Sequence, residues 1–430
     1  MEAGGDHRAT GTGPGRREVT EEGAGQGWRP LRRPSRPSRA AGRPAGPSPF
    51  GRLVVAQALS VAGDALVAIA LAGSLFFDIS PHAARGKVAL SLVLTMAPFA
   101  VVAPLLGPAI DRRAGGRRAT LVGAAAGRVV TALAMVRYLH GLGLFPVALA
   151  SLVLSKAHAV AKSSLVPTTI EDPDRLVPAN ARLALVTAAA GVVAALPGVL
   201  LLKTAGAGWD LRLAAATFAA AAVAARRLRQ VRPDEPGGRP LAAAALHEAD
   251  LRPAVVAMAA LRAGVGFIAF AAAFALRRQH AASWVFGAVL LASMAGSFAA
   301  AAVTPRLRRW LSEERLLLAA LLLVGVTAGA AVRWLAPHPS IVVVAAVLGT
   351  AASGAKLAFD SLVQRDAPAA AQGRQFARFE AIFQLCWVAG ALAPVVVPIT
   401  LRASLVLLAL GAVVAAVAPE VQHRHRSRSG

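Results

Sequence analysis

Blocks of roughly twenty apolar residues, the length a helix needs to span a bilayer, recur from residue 51 to residue 419, separated by short gaps that hold many of the arginines. No motif in the chain constrains its fold as strongly. Soluble domains hold their apolar residues in narrower amphipathic stripes, so uninterrupted blocks of this length point to spanning helices. Many blocks are Ala/Val-rich, each a modest insertion signal, and the case rests on their number and spacing. With 56% hydrophobic residues and a mean hydropathy of +0.57, the chain reads as an all-α polytopic membrane protein. The pattern predicts twelve spans, near 53–77, 88–110, 117–137, 143–165, 180–202, 209–225, 253–276, 283–304, 314–333, 340–362, 376–398 and 402–419. The sixth is the least apolar, being alanine-dominated with Arg212 near its start.

The formal charge of +24 does not point to nucleic acid, because the arginines avoid amphipathic faces with interleaved aromatics. They crowd into alternate gaps instead. One set holds Arg112, Arg113, Arg117 and Arg118, then Arg226, Arg227 and Arg229, then Arg306, Arg308, Arg309 and Arg315, then Arg365 and Arg374; the other gaps are poor in them. The positive-inside rule puts the rich set and both termini in the cytoplasm, and an even number of spans agrees. A plasma-membrane, multi-pass protein is expected.

Residues 1–50 are rich in Gly, Pro, Ser and Arg and read as a disordered basic cytoplasmic tail, placed to meet anionic lipid headgroups and unlike a secretory signal. Next come a six-span bundle over 51–225, a cytoplasmic linker over 226–252, a second bundle over 253–419 and a cytoplasmic tail over 420–430. The only cysteine, Cys386, lies inside an apolar block and excludes an intrachain disulfide framework.

The two bundles repeat one another. "PAIDRRAGGRR" at 108 parallels "PRLRRWLSEER" at 305, "SLVP" at 164 parallels "SLVQ" at 361, and Pro197 in "ALPGVLL" parallels Pro394 in "ALAPVVV". Each pair, like Arg118 and Arg315, is separated by 197 residues. A shift of six spans returns each copy to the same membrane face, which predicts two parallel halves related by an axis along the membrane normal.

The gap between the second and third spans, "GPAIDRRAGGRRAT", resembles the G-x-x-x-D-R-x-G-R-R signature of the major facilitator superfamily. Gly107, Asp111, Arg112, Gly115 or Gly116, Arg117 and Arg118 supply its parts, with two more residues between Asp-Arg and Arg-Arg than the signature has. "QALSVAGDAL", "SSLVPTTIEDPDRLVPANARL" and "GRQFARFEAIFQLCWVAGALAPV" resemble the macrolide and multidrug efflux branch. The glycine ladder of exporters is matched in part by Gly191, Pro197 and Gly198, with Leu196 where a glycine is expected. The resemblance implies alternating access between the halves, a cavity lined by spans 1, 4, 7 and 10, and a latch built from the signature loop around Asp111.

Ionisable groups at membrane depth are functional candidates by default. Asp64 lies mid-way along the first span, where a carboxylate suits proton coupling; Lys156 and Arg262 are its expected partners. Lys356 and Asp360 stand four apart, a spacing that predicts a self-satisfied pair. These five residues are the candidates for proton coupling or substrate contact, and Pro197, Gly198 and Pro394 for helix kinks. Arg128, deep in the third span, has no role legible in the sequence. Glu380, near the start of the eleventh span, suits the helix dipole. His140 and His158 have no metal-ligand spacing, and Glu171, Asp172 and Asp174 fall in a Pro-containing turn.

The chain has no G-x-x-x-x-G-K-[ST] phosphate loop and no G-x-S-x-G or H-E-x-x-H pattern, so no enzyme activity, metal or cofactor is expected. The reading is a secondary active transporter, proton-coupled, exporting hydrophobic or amphipathic small molecules as a monomer in contact with membrane lipids and without nucleic acid. A lipid or lysophospholipid flippase of the same fold and a transport-dead scaffold or sensor are the alternatives.

Overall fold

Within a bilayer every backbone N–H and C=O has to be paired inside the protein, and a single segment achieves this only as an α-helix. The computed structural model describes residues 48–75, 115–139, 141, 143–170, 172–228, 251–279, 281–334, 336–367, 371–397 and 399–426. The described residues form eleven α-helices and a short 3-10 turn at Pro173–Arg175, with no strand among them. In chain order the helices are α1 (Pro49–Leu75), α2 (Gly116–Tyr138), α3 (Leu144–Thr169), α4 (Leu176–Ala205), α5 (Ala207–Arg226), α6 (Arg252–Arg278), α7 (Ser283–Leu307), α8 (Glu313–Trp334), α9 (Pro337–Asp366), α10 (Gln372–Val396) and α11 (Leu401–Arg426).

Each falls on one expected span; the second, 88–110, lies outside the described residues. Nine of the described helices are long and apolar enough to cross a membrane. The exceptions are α5, with Asp210 and Arg212 in a largely alanine helix, and α11, whose apolar part is the shorter Leu401–Val417. Helix α11 continues to Arg426, so part of the segment expected as a tail is helical. Hydropathy marks where a chain leaves the apolar layer, not where its hydrogen-bond ladder ends. Two glycines set the breaks between elements: Gly115 (φ 77°) precedes α2 and Gly206 (φ 83°) separates α4 from α5, left-handed conformations that other residues rarely adopt.

The packing repeats as the sequence does. In the first half α1 lies against α4 and α5, and α2 against α3 and α5; in the second, α6 lies against α10 and α11, and α8 against α9 and α11. The second half is centred on Phe359, edge-on to Phe379 at 5.3 Å and to Phe383 at 4.9 Å. The first half has smaller cores, one around Leu53, Leu121 and Val166 and another around Leu66 and Phe218. Large apolar side chains such as Leu196, Leu291, Val326 and Val414 point outward, as lipid-facing surfaces require. The halves meet where α4 packs on α7 and α9, and α3 on α9 and α10.

Candidate functional site

The first charge at membrane depth belongs to α1. Asp64 accepts a hydrogen bond from Arg128 Nη2 of α2, and Arg128 Nη1 donates to Ser60 Oγ at 2.6 Å. The guanidinium stacks 4.0 Å over the Phe218 ring of α5 and is wholly buried, whereas the Asp64 side chain is 42% exposed. Asp64 is therefore paired with Arg128, not with Lys156 or Arg262. Helix α5 packs against both α1 and α2, and its Phe218 lies against the Arg128 guanidinium that reaches Asp64. Nearby, Gln57 of α1 donates to Thr187 Oγ1 of α4 at 3.0 Å and lies 3.2 Å from His158 Nε2 of α3.

A second cluster spans both halves. Lys356 of α9 bonds Asp360 Oδ1 at 2.6 Å, as its spacing predicts, and also Glu380 Oε1 of α10 at 2.9 Å. Glu380 stands well past the first turn of α10, so it serves as a counter-ion rather than a dipole cap. Lys156 and Lys162 of α3 and Arg262 of α6 surround this triad: Lys156 feels the charges of Glu380, Arg262 and Lys356, and Lys162 those of Asp360, Lys356 and Glu380. Four of the five candidates, Lys156, Arg262, Lys356 and Asp360, thus come together, and Asp64 forms a separate pair. Arg128, Lys162 and Glu380 join them. Their depth in apolar spans was the available signal, but partnership is set by how helices rotate against one another.

Arg262 and Lys356 also line a cavity of about 520 Å³, inside the size range of small-molecule sites. Its walls are mostly apolar, with Phe286, Val289 and Leu290 of α7, Ile268 and Leu276 of α6, and Leu348 of α9; Ser353 Oγ donates to Ser297 Oγ at 3.0 Å within it. The cavity runs from the Arg262 level toward the junction of α6 and α7.

At the opposite, arginine-rich end the halves are closed against each other. Asn180 of α4 donates to Gln364 Oε1 of α9 at 2.8 Å, and Gln364 Nε2 donates to the Ser163 carbonyl of α3 at 3.0 Å. Arg308 lies 3.7 Å from Asp174 across the halves and 2.9 Å from the buried Glu313, whose other oxygen pairs with Arg365 at 3.1 Å. The acidic turn at 172–174 thus takes part in an inter-half contact.

Of the signature loop, Gly107, Asp111 and Arg112 lie outside the described residues. Gly115 supplies the turn into α2, Arg117 donates to the Ser164 carbonyl at 3.1 Å, and Arg118 is half-buried. Pro197 and Pro394 lie inside the unbroken helices α4 and α10, and Gly198 sits tightly under Leu66 and Ile69 of α1.

Two pseudo-equivalent bundles of apolar helices define a multi-pass membrane protein. The family model of the Major Facilitator Superfamily matches residues 53–391, and the chain belongs to that superfamily. An uncharacterized protein of Mycobacterium leprae (strain TN) is 30% identical over 374 residues, covering 76% of this chain; the match spans 63% of the relative's own length. Among solved structures, a bacterial homologue of the iron transporter ferroportin in its outward-facing state superposes with a TM-score of 0.67 at 15% identity, over 86% of this chain and 98% of that one. The superfamily transporter FucP in its outward conformation gives 0.65 at 11% identity, over 86% and 97%. At these identities the likeness is one of fold. These neighbours are transporters rather than enzymes.

Proposed function

We propose that the chain is a secondary active transporter that exports hydrophobic or amphipathic small molecules by alternating access, coupled to protons. The carrying observation is the apolar cavity that ends on Arg262 and Lys356 beside a closed, arginine-rich inter-half contact. With that face in the cytoplasm, both termini are cytoplasmic and the cavity belongs to an outward-open state of a plasma-membrane monomer. Asp64 and the Lys356–Asp360–Glu380 triad are the coupling candidates, since a carboxylate that exchanges its paired cation for a proton stays neutralised at membrane depth while the cation is released to other partners.

Flux of an amphipathic dye into liposomes with an imposed pH gradient tests this, comparing wild type with Asp64→Asn. Gradient-driven flux in wild type and its loss in the variant are expected. Flux indifferent to the gradient removes proton coupling, and no flux across a broad dye and drug panel returns the chain to the scaffold reading.

A groove of about 900 Å³ between α4 and α7, lined by Arg182, Arg306, Arg308 and Arg309, favours the lipid-flippase alternative. Scrambling of fluorescent lysophospholipid in the same liposomes distinguishes it. For the signature loop, the resemblance predicts that Asp111→Asn leaves insertion intact and slows alternation; unchanged flux reduces the loop to a topology signal.

A further inference from the structure

The charges around the cavity do not balance. Lys356 occupies both carboxylates of the cluster, binding Asp360 at 2.6 Å and Glu380 at 2.9 Å. Arg262 Nε is buried without a hydrogen-bond partner, and among the described residues neither Arg262 nor Lys162 forms an ion pair. Asp64 is taken by Arg128. With Lys156 set aside, the cations Lys162, Arg262 and Lys356 face only two carboxylates among the described residues. An excess cation inside the apolar layer is unfavourable by several kcal/mol unless an anion accompanies it.

We infer that the cavity takes an amphiphile with a single anionic head group, a carboxylate, sulfonate or phosphate ester, held by Arg262 at the cavity's inner end with Lys162 adding to the local positive potential. The guanidinium presents paired donors suited to a two-oxygen anion, and the free Nε supplies one of them. The apolar walls of α6, α7 and α9 accept the tail, and the Ser297–Ser353 pair lies on the same lining. This assignment names the substrate class of the transporter proposed above and rests on that reading.

The test uses the full chain in phosphatidylcholine nanodiscs, with dansyl-labelled undecanoic acid and its methyl ester as probes read by dansyl fluorescence. The acid binds at least about tenfold more tightly than the ester, the ratio of one ion contact of about 1.4 kcal/mol. Arg262→Gln abolishes that preference, and Arg262→Lys restores part of it. Lys162→Gln, which removes a charge without removing a contact, narrows the preference as well, and keeps the idea testable if Arg262→Gln misfolds. Equal affinity for acid and ester, or equal loss of both in the variants, overturns the inference. Flux separates the two readings: ester carried and acid refused leaves a transporter whose substrate is not an anionic amphiphile. Selective binding of the acid without flux under any gradient keeps the anion site and removes the transporter.

Discussion

Arg128 shows how one residue changes the meaning of another. Alone in its span it is an unexplained charge; against Asp64, Ser60 and the Phe218 ring both terminal nitrogens are hydrogen-bonded and the guanidinium is stacked. The repeat solves the same place differently, because the positions 197 residues on are Leu261, buried to 1%, and Gly325. A buried ion pair is therefore not a requirement of the architecture. Removing one partner is costly because the other charge stays buried: Asp64→Asn is expected to lose about 3 kcal/mol, the lower end of the range since Asp64 is itself partly exposed. Asp64→Leu with Arg128→Met recovers most of that loss, as the second half's own solution suggests. Thermal unfolding in detergent measures both. A double variant that folds like wild type but has lost gradient-driven flux ties the pair to coupling rather than to stability.

At the scale of helices, lipid supplies little hydrophobic drive for one span to leave it for another, so close backbone approach has to do more of the packing. The second half uses glycine for this at two crossings. A Cβ on Gly390 of α10 would fall on the Ala263 carbonyl of α6, and one on Gly266 of α6 on the Trp387 carbonyl of α10. Gly296 of α7 and Gly349 of α9 bear the same relation to the Ala346 and Ser293 carbonyls. Backbone cannot yield as a side chain can, so Gly390→Val or Gly296→Val is expected to force the helices apart at a cost of about 3 kcal/mol or more. Gly411→Ala, where nothing lies within 4 Å, is expected to be neutral. Size-exclusion profiles and unfolding temperatures compare the three. These glycines are unremarkable in the sequence, since "AGVG" and "VAGA" occur in helices of any packing.

For the whole molecule, the polar contacts that close the arginine-rich end are mostly neutral: Asn180, Gln364 and the Ser163 carbonyl, with Arg308 and Asp174 beside them. Neutral hydrogen bonds of this kind are worth on the order of 1 kcal/mol each, weak enough for the opening that the proposed alternating access requires. In a Cys386→Ala background, Asn180→Cys with Gln364→Cys is expected to cross-link readily and to stop flux, with reduction restoring it. The same cross-link is expected to raise the labelling of Ser353→Cys by a water-soluble thiol reagent added from the cavity side. Labelling that falls instead contradicts a cavity open away from the arginine-rich end.

Much of this was legible before any coordinates. The spans, the duplication and the alternation of arginine-rich gaps are written in hydropathy and spacing, which act locally along one helix at a time. Asp64, Lys156, Arg262, Lys356 and Asp360 stood out because charge is rare at such depth. Which cation meets which carboxylate was not written there. Depth alone offered Lys156 and Arg262 to Asp64 and left Arg128 without a role, and Ala/Val-rich helices carry no face distinctive enough to correct that choice. That choice, and the recruitment of Glu380 to Lys356, depends on how each helix is rotated against neighbours distant in sequence. Burial of apolar surface determined that the helices cross the membrane; only their packing decided which charges are paired and which remain free to meet a ligand.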